Sequence, residues 1–267
     1  MVKTLLFASL LVLAVSVHPA QAKTVCTVVA DAAGGRVIAK TGDCEMRVTP
    51  ASTFKLALAL VGFDTGIIKT ANSPKLPFKK GYVEWGGDNW RQDTTPKRWM
   101  KYSVVWYSQQ MTRQLGAAAI TDYLTRFDYG NADFSGDTGR DNALERAWIG
   151  SSLKISPIEQ ARFLSRMLHR QLPVKRSAAD LTASIVEAVT LDSGWLVRGK
   201  TGLAYPRRTD GSFDRARGTG WFVGWATKGD RQVVFARLIK DEKRHSTGAS
   251  RRARASLLKD LPALIEN

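Results

Sequence analysis

The sequence predicts an α+β fold: an antiparallel sheet built from both ends of the chain, flanked by helices and joined to a helical lobe. Three observations predict it. Strand-like runs rich in β-branched residues open the chain near residue 24 and return between residues 194 and 241. The middle, roughly Gly66–Leu172, carries helical patterns separated by loops. No Pro/Gly/Ser-rich linker, low-complexity tract or repeat divides the chain, so strands from both ends are expected to share one core.

The elements follow in order. Residues 1–22 read as a cleaved signal peptide: Lys3, the apolar run Leu5–Val17, then Ala20-Gln21-Ala22. That run is too short to span a membrane, and no later stretch reaches the ~20 apolar residues a span needs. Residues 23–267 are expected to form one exported, periplasmic catalytic domain with no membrane insertion. "TVCTVVA" and "GRVIAK" read as a hairpin around a Gly turn. Ala51–Phe63 reads as a helix apolar on all sides and therefore buried. Helices are expected over 103–116, 120–130 and 156–172, the last with Ser156 and Glu159 as a capping box and Pro157 at the first helical position. A further helix is expected over 179–191. Strands follow in "GWLVRGKTGLA", "GTGWFVGWATKG" and "RQVVFARLIKD", and a basic helix at about Arg251–Glu266 closes the chain. A small-molecule site is expected in the cleft between lobe and sheet.

The formal net charge of +16 suggests an anionic partner. The densest basic runs, Pro206–Arg217 and Lys240–Arg254, are not interleaved with stacking aromatics, and the chain reads as exported. Nucleic acid is therefore disfavoured against anionic substrates or an anionic cell surface. Two cysteines, Cys26 and Cys44, flank the first hairpin without a C-x-x-C motif. A disulfide is open to them in an oxidising compartment, with geometry to decide. The three histidines, His18, His169 and His245, are too scattered for a Ser-His-Asp triad or a His-rich metal site. No metal is expected, and a serine nucleophile here needs a base other than histidine.

Ser52 and Lys55 form S-x-x-K, which puts both on one helical face. A lysine acts as base only when its neutral form is accessible, and the apolar run after Lys55 supplies the desolvation. The motif is weak alone, since roughly one chance copy is expected in a chain this long. Ser151–Lys154 is a second copy, but its helix begins only at the Ser156 cap, so it has no shared face. K-T-G also occurs twice, at Lys40–Gly42, which enters a turn, and at Lys200–Gly202, which suits a sheet edge.

Order and combination carry more. Ser52-Thr53-Phe54-Lys55, Ser103-Val104-Val105, Tyr129-Gly130-Asn131 and Lys200-Thr201-Gly202 follow one another, with "AWIGSSLKIS" and "GWFVGW" among them. This set resembles the class D (oxacillinase-type) serine β-lactamases over essentially the whole mature chain; S-x-x-K and K-T-G are shared among penicillin-recognising enzymes. The resemblance implies an α/β sandwich of the penicillin-binding-protein/β-lactamase type that hydrolyses penicillin-type antibiotics. Ser52 would be the nucleophile, and Lys55 a general base carboxylated by carbon dioxide, with no other cofactor. Ser103 would pass protons to the lactam nitrogen, and Val105 would pack over the carbamate. Trp148 would hydrogen-bond it, since an indole N–H is a donor only. Lys200, Thr201 and Gly202 would orient the substrate, and the N–H groups of Ser52 and Ala204 would form the oxyanion hole. The family also places an arginine after the last strands. Arg251, Arg252 and Arg254 compete for that role here, with Arg252 preferred. The other tryptophans are assigned to core or cleft wall. The partners implied are β-lactam small molecules, with the chain as monomer or homodimer. The rivals are a penicillin sensor or a DD-peptidase of the same fold, either of which acylates without efficient turnover.

Overall fold

The computed structural model describes residues 23–266; the predicted signal peptide lies outside them. Six antiparallel strands form one sheet: β1 (Lys23–Asp31), β2 (Val37–Gly42), β3 (Ala188–Thr190), β4 (Leu196–Ala204), β5 (Thr219–Lys228) and β6 (Arg231–Lys240). Their order is β2-β1-β6-β5-β4-β3, so the amino-terminal hairpin docks on the last strand of the chain through β1 and β6. Strands from the two ends thus share one core, as their β-branched composition predicts. Cys26 and Cys44 are joined in a disulfide behind the β1–β2 hairpin.

The sheet is covered on both faces. On one face lies α8 (Ala249–Glu266), burying Ala249, Ala253, Leu257, Leu261 and Ile265 against Val29, Phe222, Phe235 and Ile239. Those positions recur every four residues, the stripe of a half-buried helix. The other face packs against α1 (Lys55–Thr65) and the helical lobe. Every residue of α1 from Lys55 to Phe63 is buried, and Gly66, in the left-handed region at φ 78°, ends it. The lobe holds α2 (Pro96–Tyr102), α3 (Val105–Leu115), α4 (Ala117–Arg126), α5 (Ala143–Arg146), α6 (Pro157–Leu168) and α7 (Arg176–Ser184). The capping box opening α6 forms as expected: Ser156 Oγ accepts from Glu159 N, and Ser156 N donates to the Glu159 carboxylate at 2.8 Å.

Three expectations need correction. The helix expected over 179–191 stops at Ser184, and Ala188–Thr190 form the short edge strand β3. Val189 and Thr190 are β-branched, and pairing with Leu196–Arg198 overrides the local helical pattern. The helix expected from Ser103 begins only at Val105, as α3, and a separate helix, α2, ends at Tyr102, with Ser103 at the break between them. Trp85, assigned with the other tryptophans to core or cleft wall, is 58% exposed. Among the described residues, no helix is long and apolar enough to cross a membrane.

Candidate active site

The nucleophile candidate sits on a single 3₁₀ turn, Ala51–Phe54, that runs straight into α1. The turn is anchored from three sides. Thr53 Oγ1 donates to Pro50 O at 2.8 Å and accepts from Gln160 Nε2 of α6 at 2.7 Å. Thr49 Oγ1 donates to Trp148 O at 2.8 Å and accepts from Gly150 N at 2.9 Å. Trp221 Nε1 of β5 donates to Thr49 O at 2.9 Å. Neither Thr49 nor Gln160 belongs to a motif, and sequence reading missed both.

Lys55 begins α1, with Nζ 3.4 Å from Ser52 Oγ. The side chain is fully buried. Burial, and then the charge of Lys200, hold its amine well below the ordinary lysine value, which favours the neutral form. The rival S-x-x-K at Ser151–Lys154 lies in a loop with Lys154 exposed. It lacks the buried helix that follows Lys55, as the late Ser156 cap predicted.

Ser103 caps α2 in the left-handed region at φ 56°. A non-glycine residue there costs on the order of 1 kcal/mol, and the surroundings must enforce it. Three indoles do so. Trp90 Nε1 donates to Tyr102 O at 2.8 Å, Trp106 Nε1 to Trp90 O at 2.8 Å, and Trp99 Nε1 to Ser108 Oγ at 2.9 Å. These tryptophans are therefore not plain core; their N–H groups staple the turn that aims Ser103. Lys200 Nζ donates to Ser103 Oγ and to Thr201 O. Lys200 is itself buried, and burial lowers its amine to about 8, partly offset by the charge of Glu187. Val105, at the start of α3, is buried.

Past Arg198, β4 pairs with β5 alone, and its other edge faces the nucleophile turn. The approach is close. A Cβ on Gly202 would fall 2.8 Å from Pro50 O and 3.2 Å from Thr53 N, so only glycine fits. This puts Lys200-Thr201-Gly202 and the buried Ala204 alongside Ser52. The other K-T-G copy, Lys40–Gly42, lies on β2, separated from β4 by β1, β6 and β5.

Trp148 is fully buried, its ring 5.5 Å from Phe54 and stacked 5.9 Å from Phe134. Its Nε1 is buried with no hydrogen-bond partner. A buried N–H left unpaired costs roughly 1–3 kcal/mol, so the group calls for an acceptor. An indole N–H is a donor only, so the position suits an anion and not a second cation. Tyr129-Gly130-Asn131 has a different place. Asn131 binds the main chain of Ser152 and Lys154, and a Cβ on Gly130 would fall 2.0 Å from Lys154 O. The motif fixes the segment after Trp148 and touches no reacting group.

Arg252, preferred among the three arginines, has partners within the chain. Its Nη2 donates to the buried carboxylate of Asp241 and its Nε to Thr247 O, which ties the start of α8 to the end of β6. A fixed buried anion holds a guanidinium before any substrate arrives. Arg251 and Arg254 are exposed, Arg254 over the Phe222 ring.

A serine beside a desolvated lysine, a second serine held by a second lysine, and an open strand edge together define a penicillin-recognising serine enzyme. The family described as the penicillin binding protein transpeptidase domain matches residues 25–262. The chain is 44% identical over 243 residues to beta-lactamase OXA-9 of Klebsiella pneumoniae, covering 91% of this chain and 88% of that one. It is 40% identical over 217 residues to beta-lactamase OXA-1 of Escherichia coli, covering 80% and 75%. The crystal structure of OXA-427 class D beta-lactamase superposes with a TM-score of 0.84 at 45% identity, covering 91% of this chain and 99% of that one. The chain belongs to the class D serine β-lactamases.

Proposed function

We propose that the enzyme opens the β-lactam ring of penicillin-type antibiotics through an acyl-enzyme on Ser52, and thereby confers resistance. The observation that carries this reading is the buried, depressed Lys55 amine 3.4 Å from Ser52 Oγ. Ser52 Oγ attacks the lactam carbonyl, and the carbonyl oxygen gains charge facing the N–H groups of Ser52 and Ala204. As the C–N bond breaks, the lactam nitrogen needs a proton. Lys200 donates to Ser103 Oγ, which leaves the Ser103 hydroxyl hydrogen free to move to that nitrogen. Lys200 and Thr201 receive the substrate's ring carboxylate. A lysine lowered to about 8 is charged at neutral pH and also gives up a proton readily. Water then cleaves the Ser52 ester and releases the opened product. Carboxylation of Lys55 by carbon dioxide supplies a general base for both halves of the reaction, with Trp148 Nε1 as the donor that holds it and Val105 beside it.

Residues 1–22 are proposed to be a cleaved leader that directs the enzyme to the periplasm; the basic start, apolar run and Ala-x-Ala support that reading.

A chromogenic β-lactam tests the reaction. Sustained product release at catalytic enzyme concentration, lost in Ser52→Ala, is the expected result. One equivalent of product with no further turnover would instead identify a sensor or DD-peptidase.

A further inference from the structure

Two arginines on the segments that carry Trp148 and Ala204 are left unused by the acylation chemistry. Arg146 ends α5, two residues before Trp148, and Arg207 lies three residues after Ala204 in the loop between β4 and β5. The two segments approach each other, and a Cβ on Gly150 would come within 3.9 Å of Tyr205 O. Both guanidiniums lie over the ring of Phe213, Arg146 at 5.9 Å and Arg207 at 4.9 Å from its centroid. Arg146 gives Nη2 to Ile149 O at 3.1 Å, and Arg207 gives Nη1 to Gly211 O at 2.8 Å. The Arg146 Nε is buried with no partner. Among the described residues neither arginine forms an ion pair. Asp137 lies within electrostatic reach of both, but its Oδ2 accepts from Asn142 Nδ2 at 2.9 Å. Burial, and then the charge of Arg207, hold the Arg146 guanidinium below its ordinary value.

Two cations gathered on one ring repel each other, and an unpaired buried N–H adds a further cost. An anion removes both penalties. A guanidinium fork matches a carboxylate in particular. We propose that Arg146 and Arg207, seated on Phe213, form a subsite for a second carboxylate, carried on the acyl side chain of a β-lactam. This group is separate from the ring carboxylate assigned to Lys200 and Thr201. The inference rests on the acylation of β-lactams by Ser52. It makes this enzyme selective for dianionic penicillins over monoanionic ones of the same shape.

Carbenicillin and benzylpenicillin differ by a single carboxylate on the side-chain α-carbon. The ratio of their kcat/KM values, or of their acylation rate constants, therefore isolates the subsite. It is internal to each variant, so partial loss of folded protein cancels. Arg207→Ala, at an exposed position, and Arg146→Gln are each expected to lower the carbenicillin-to-benzylpenicillin ratio roughly 10-fold, with Arg207→Lys retaining part of it. A ratio unchanged in both alanine and glutamine variants, with benzylpenicillin still acylated, overturns the subsite alone. Failure of the wild-type enzyme to be acylated by either penicillin overturns the Ser52 reading, and the subsite falls with it.

Discussion

Lys55 Nζ lies 3.4 Å from Ser52 Oγ at the first turn of a helix whose next eight residues are all buried. An ammonium in that position would be an unpaired buried charge, costing several kcal/mol. The protein avoids this by letting the amine titrate instead, since burial and Lys200 both push it toward the neutral form. A neutral amine is the form that captures carbon dioxide, and capture releases a proton. Activity is therefore expected to fall as pH drops and the amine protonates, and to recover on addition of bicarbonate. Lys55→Ala removes the base altogether, and turnover is expected to fall by 10²–10⁴-fold or more. Activity in carbon-dioxide-depleted buffer that neither falls nor responds to bicarbonate would overturn the carboxylated lysine.

Trp148 offers a donor without an acceptor. Trp148→Phe keeps most of the ring packing against Phe54 and Phe134 and deletes only that N–H. Deacylation is expected to slow more than acylation, with a higher bicarbonate concentration needed for half-maximal rate. Pre-steady-state kinetics separate the two steps, and equal loss in both would assign Trp148 to packing. Trp148→Ala also leaves a cavity, at about 3–5 kcal/mol of stability, so thermal melting distinguishes the two variants.

Lys200 sets the alkaline limit. With its amine at about 8, it is charged below that pH and neutral above it. Carboxylate binding and proton supply to Ser103 both need the charged form, so kcat/KM is expected to fall as pH rises through about 8. The stability sign is opposite. Between about 8 and the ordinary lysine value of 10.5 the unfolded chain binds the proton and the folded one does not, so this group's contribution to stability rises with pH. A loss of kcat/KM in that window with unchanged circular dichroism is thus titration of the site. A flat profile to pH 10 would remove Lys200 from the proton path.

Gly202 tests how closely the strand edge approaches the nucleophile. A methyl group there would fall 2.8 Å from Pro50 O, and backbone on both sides has little freedom to yield. Gly202→Ala is expected to displace Ser52 from the open edge and reduce kcat by about 10²-fold, the scale of a misplaced reacting group. Retention of wild-type kcat would show that the turn can retreat without cost.

The parts of this site legible in the sequence are those whose chemistry is local. Ser52 and Lys55 share one turn, and the apolar run beside them announces the desolvation that Lys55 needs. Ser151–Lys154 could be set aside because its helix cap comes too late. Properties that depend on distant segments were not legible. The left-handed turn at Ser103 is imposed by indoles at positions 90, 99 and 106, whose N–H bonds no local pattern reveals. Arg252 reads as a free cation until β6 brings Asp241 to it. Strand β3 is three residues long and gains its identity only from pairing with β4. Arg146 and Arg207 are 61 positions apart, and only the meeting of two loops makes them a pair.

The disulfide between Cys26 and Cys44 predicts a separation of stability from catalysis. It closes a segment of 18 residues at the amino-terminal hairpin. Closing a loop of that size stabilises by roughly 3 kcal/mol through the unfolded chain. In a domain this large each kcal/mol moves the melting temperature by about 2–4 °C. Reduction is therefore expected to lower Tm by roughly 6–12 °C. Catalysis lies elsewhere: Lys200 and Gly202 are on β4, across β6 and β5 from β1. At temperatures well below the reduced Tm, kcat should stay at the oxidised value. A kcat that drops on reduction while the fold persists would show that the hairpin reaches the site through β1 and β6, and would make the bridge a determinant of catalysis and not of stability alone.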